Sequence, residues 1–69
     1  MMIKTGDLYR LKKIPRAIIM VVSIKEIPRG GEESYFEVKF LENEKVHSVV
    51  NFIGDIQRIW DQVMDKVIL

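Results

Sequence analysis

The residues of this 69-residue chain best suited to chemistry are cations that lie close together. Arg10, Lys12, Lys13 and Arg16 put four positive charges within seven positions, next to Tyr9. Lysine and arginine neutralise phosphates, and an aromatic ring offers a face to an unstacked base, so the group has the makings of a contact for single-stranded nucleic acid. Arg29-Gly30-Gly31 is a second arrangement of interest. Exposed glycine amides can form an anion-binding concavity, and the neighbouring guanidinium is a two-pronged phosphate donor. Each arrangement also has a plainer reading: solvated charge on a strand face for the first, a hairpin turn for the second.

Catalysis finds little to work with. There is no cysteine, and His47 is the one histidine, with no Ser and Asp at a readable spacing around it. Structural zinc needs clusters of Cys and His, which this composition does not supply. The acidic pairs Glu32-Glu33 and Glu42/Glu44 fall in turns, without the spacing of a calcium loop, and read as solvated turn charge. The expectation is a non-enzymatic chain with no cofactor, no metal and no small-molecule substrate.

Residues 1–69 are enough for one domain, and a domain of this size buries a small share of its surface. Without disulfides or metal, association with other copies is the remaining aid to stability. Hydrophobic residues make up 48% of the chain, more than so small an interior can easily hide, so part of the apolar surface is expected in an interface. The net charge is +1, but it is unevenly spread: residues 1–29 hold seven cations against two acids, and residues 30–69 four against eight. A basic face could hold a phosphate backbone, opposite faces could meet between subunits, or interleaved strands could erase the asymmetry. The N-terminus has no apolar core of a signal peptide, and the longest apolar run is Ala17–Val22, far too short to span a bilayer. The chain reads as cytoplasmic, without membrane contact.

These residues must be positioned by short strands. After a Gly6-Asp7 turn, a first strand over Leu8–Ile14 sets Tyr9 and Leu11 on one face, and Pro15 ends it. A second strand over Ala17–Ile27 is rich in β-branched residues, and its first six positions do not alternate with polar ones, so both of its sides should be covered. Pro28–Ser34 is the loop of a hairpin. Tyr35–Leu41 follows with Phe36, Val38 and Phe40 facing inward. Glu42-Asn43-Glu44 turns the chain into a fourth strand, Lys45–Phe52, in which Val46, Ser48, Val50 and Phe52 alternate with His47, Val49 and Asn51. The period then changes. Ile53, Ile56, Ile59, Trp60, Val63, Met64, Val67 and Ile68 recur three and four apart, which predicts an amphipathic helix, N-capped by Asp55, running toward the end of the chain. In it, Trp60 belongs to core or interface. A rival reading gives Ile53–Ile56 a single turn and Gln57–Trp60 a short fifth strand that completes a barrel.

Four or five short antiparallel strands with a long apolar second strand outline a small barrel of the SH3 or Sm type, mainly β, with a C-terminal amphipathic helix; a lone sheet crossed by a helix is the alternative. The string Lys4-Thr5-Gly6-Asp7-Leu8-Tyr9-Arg10-Leu11-Lys12, followed by Met20-Val21-Val22-Ser23-Ile24 and Tyr35-Phe36-Glu37-Val38-Lys39-Phe40, resembles small SH3-like proteins of tailed phages. Across almost the whole chain it also resembles a marine-metagenome family of suspected cyanophage origin with an Sm/LSm-like fold. The resemblance implies a strongly bent five-stranded barrel, a ring of subunits joined edge to edge, and nucleic acid, usually RNA, near the pore. The chain departs from Sm proteins in both of their signatures. The Asp with Met and Asn at fixed spacing does not occur around the second and third strands, and Ile27-Pro28-Arg29-Gly30 echoes the Arg-Gly signature with an inserted proline and between the wrong strands. No Sm RNA-binding residue is therefore carried over. The expectation is a homo-oligomeric module that binds RNA or single-stranded DNA through Arg10, Lys12, Lys13, Arg16 and Arg29; the alternative is a phage structural or assembly factor that binds protein only.

Overall fold

The computed structural model describes residues 2–68. Five strands, β1 (Leu8–Leu11), β2 (Ile18–Ile27), β3 (Tyr35–Glu42), β4 (Lys45–Asn51) and β5 (Met64–Val67), form one antiparallel sheet, with helix α1 (Ile53–Val63) between the last two. The strand order is β4-β3-β2-β1-β5, so the chain meanders outward to β4 and returns to lay β5 beside β1. The sheet is open, with β4 and β5 as its two edges.

One departure from regular pairing explains the second strand. Val21 pairs with Phe40 and Ser23 with Lys39, which leaves Val22 as an extra residue in β2. A bulge of this kind shifts the pleat by one residue. Inward positions therefore change from Ile19 and Val21, both buried, to Ile24, which packs against the core. Cover on both sides of the apolar run Ile18–Val22, expected from the sequence, is not supplied by this chain on the outer side. There Ile18 and Met20 remain 43% and 37% exposed.

The core forms between one face of the sheet and α1. It contains Ile3, Tyr9, Ile19, Val21, Val38, Ile56, Trp60 and Met64, flanked by Leu11, Ile24, Phe40, Val49 and Ile53. Trp60 meets Tyr9 and Phe40 edge to face at centroid distances of 5.2 and 5.4 Å, the arrangement aromatic quadrupoles favour. Tyr9 and Leu11 on one face, Val38 and Phe40 inward, and Trp60 in the core are as the sequence predicts. In β4 it is His47 and Val49 that lie across from Phe40 and Val38, and Val46 and Val50 that point outward.

The tail corrects three expectations. The helix does not run on from residue 64, because Met64 is already extended and Met64–Val67 pairs with β1. The fifth strand exists, but at 64–67 and not at Gln57–Trp60, which is helical. Phe52, not Asp55, is the N-cap; Asp55 sits in the first turn, where a carboxylate suits the helix dipole, 3.1 Å from Arg58.

Candidate nucleic-acid interface

Three of the five candidate cations share one end of the sheet without an internal partner. The β1–β2 hairpin is closed by Leu11 N–H donating to Ala17 O (3.1 Å) and Ala17 N–H to Ile14 O (2.9 Å). This displays Lys13 and Arg16 at the tip, both exposed, with Arg10 on the outward face of β1. No ion pair forms at Arg10, Lys13 or Arg16 among the described residues. Arg10 does lie across from Asp65 of β5, which tempers its field.

Lys12 is used differently. Its backbone N–H donates to Val63 O (3.0 Å) and its ammonium to Asp61 O (3.2 Å), with Asp65 at 4.0 Å. These carbonyls belong to the last turn of α1, where acceptors lack intrahelical donors and positive charge is favoured. No basic residue of the helix itself serves that turn. Lys12 is the cation that caps α1, supplied from another element.

Arg29 lies two residues past the far end of β2, whose nine steps from Ile18 to Ile27 put roughly 30 Å of strand between it and the basic hairpin. The structure does not bring it to the other four. Its guanidinium stands 4.2 Å over the Tyr35 ring and 5.6 Å from Phe52, pairs with Glu32 at 2.9 Å, and donates to Glu33 O at 3.4 Å. Gly30 and Gly31 take the positive φ values (56° and 90°) that let the loop fold back beneath it. Loop and arginine thus hold each other.

Tyr9 is not a stacking surface. It is buried against Trp60, and burial, reinforced by Asp7 and Asp61 and opposed by a hydrogen bond with Gln57, raises its phenol above the usual 10.0. Outward-facing rings occur instead at the Arg29 end, where Tyr35 and Phe52 lie 4.9 Å apart. Sequence reasoning missed this pair, since the two rings are seventeen positions apart and meet only through sheet register.

Beside the hairpin, Leu11, Lys12, Lys13, Ile14, Gln62 and Val63 line an open groove of about 420 Å³. Leu11, Ile14 and Val63 make its lining mainly apolar, and Lys12 and Lys13 add charge to it. Among the described residues no three His, Asp or Glu side chains converge as metal ligands would, and no helix is long and apolar enough to cross a membrane. The fold and this site define a small open antiparallel sheet, backed by one helix, that presents a basic hairpin. Comparison with protein-family models, curated proteins and solved structures gives no match to this chain.

Proposed function

We propose that the chain is a non-catalytic, Sm-like module that binds RNA or single-stranded DNA as a homo-oligomer. The observation that carries this reading is the basic hairpin. Arg10, Lys13 and Arg16 have no ion-pair partner among the described residues, while Lys12 and Arg29 have internal ones. Charge left unpaired in this way is available to a phosphate backbone, and binding through it is electrostatic positioning with little reading of sequence. Five strands, with the last returning to the first, and an apolar outer surface left uncovered support the barrel-like and self-associating parts of the proposal.

Fluorescence anisotropy of short labelled RNA and DNA strands at two salt concentrations tests it. Replacing Arg10, Lys13 and Arg16 together by Ala is expected to weaken binding and to reduce the slope of log affinity against log salt by about 2, at about 0.7 for each single-strand phosphate contact. Absence of binding even at low salt would favour the second reading, a phage assembly factor, which the exposed Ile14, Ile18, Met20 and Val63 support.

A further inference from the structure

The two free edges of the sheet are built differently. β5 is four residues long and carries Asp65 and Lys66, the latter 3.5 Å from Asp7. A short, charged edge is one that natural sheets use to discourage pairing. β4 is seven residues long, is paired to β3 without a bulge, and from Val46 to Asn51 holds no Pro, Lys, Arg, Asp or Glu. Its outward valines, Val46 and Val50, are 61% and 49% exposed. Val46 also ends an apolar row across all five strands, in which Val67, Leu8, Met20, Leu41 and Val46 each lie directly across from the next. Such an edge, long, uncharged from Val46 onward and continuous with an apolar outer surface, is a template for another strand.

We propose that β4 pairs antiparallel with β4 of a second copy about a two-fold axis at Ser48, joining the two sheets into one. Two-fold pairing places like-facing residues opposite each other, and the register centred on Ser48 alone uses all seven residues. Val46 then faces the partner's Val50, and the same pair recurs across the axis. Lys45 faces the partner's Asn51, so no like charges are opposed. Pairing β4 with a neighbour's β5, as in a ring, would set seven residues against four and bring Asp65 and Lys66 to the seam. The proposal is independent of nucleic-acid binding.

Light scattering of the full chain is expected to give twice its mass. A chain carrying both Val46→Lys and Val50→Lys opposes lysines at each valine pair, and one carrying both Val46→Glu and Val50→Glu opposes glutamates. Each alone is expected to be monomeric with unchanged circular dichroism, and an equal mixture to recover the dimer mass, because lysine then faces glutamate twice. A monomeric natural chain, a ring of more than two copies, or a mixture that stays monomeric would overturn the proposal. Ser48→Cys covers the case in which the charged variants do not fold. The chain has no other thiol, and one at the axis meets its own copy within cross-strand reach. Mild oxidation is expected to give a covalent dimer with Ser48→Cys and none with Lys39→Cys, one strand inward. Monomers from both would reject the register.

Discussion

Lys12 and its neighbours Lys13 and Arg16 look alike in the sequence and do different work in the fold. Because the Lys12 ammonium serves the Asp61 carbonyl, Lys12→Ala is expected to lower stability by about 0.5–1 kcal/mol, the scale of a cation at an exposed helix C-terminus, measured by urea unfolding. Lys13→Ala, with no partner among the described residues to lose, is expected to leave the unfolding midpoint in place. The sequence shows the cluster but not this division, since what separates its members is a contact forty-nine residues away. Tyr9 gives a second case. Its inward face is legible from alternation with Leu11, but a neighbouring charge run suggests a stacking role that burial denies. Burial raises the Tyr9 phenol in the folded state above the unfolded value, so its contribution to stability is complete below pH 10 and is lost as pH rises through the folded value. Thermal unfolding from pH 8 to 11 is therefore expected to show a fall above pH 10 that is smaller in Tyr9→Phe. Equal falls in the two proteins would mean that other groups cause it.

At the scale of elements, the β3–β4 turn is readable and also improvable. Asn43 and Glu44 both take positive φ, 50° and 65°, as a two-residue type I′ hairpin requires. Asparagine tolerates that conformation, whereas glutamate is strained in it. Glu44→Gly is expected to stabilise the protein by about 1 kcal/mol, read as a higher urea midpoint at unchanged slope. The tail was harder to read for a definite reason. Met64 and Val67 are three apart, as a helix wants, and Met64-Asp65-Lys66-Val67 lacks the apolar and polar alternation that would announce a strand. Local pattern favours the helix without settling the choice. The free side of β1 decides it, because β5 supplies backbone partners that a longer helix would have left unmade. Val22 is similar: an unbroken apolar run reveals neither a bulge nor its position, which the register with β3 sets.

The whole molecule is longer than its chain length requires. Its extents are 41 × 23 × 20 Å and its radius of gyration is 12.3 Å, against about 11 Å for a compact chain of this size. The excess comes from the distal part of the β2–β3 hairpin. The buried cluster lies behind Ile19, Val21 and Val38, whereas Lys25–Ile27 and Tyr35–Glu37 extend past it and rest on the outward contacts of Tyr35, Phe52 and Arg29. Strands without a core behind them open more readily than strands that have one. Hydrogen exchange should therefore separate into two tiers along the same strands, with amides near Ile19–Val21 and Val38–Phe40 protected to the level of global unfolding and those of the distal ribbon exchanging earlier. Arg29→Ala removes the guanidinium that joins loop to rings, and it is expected to speed exchange in the distal tier while leaving the inner tier unchanged. A single tier in the natural chain would mean that the ribbon unfolds only with the core. Acceleration of both tiers by Arg29→Ala would mean that the arginine supports the whole sheet and not its distal end alone.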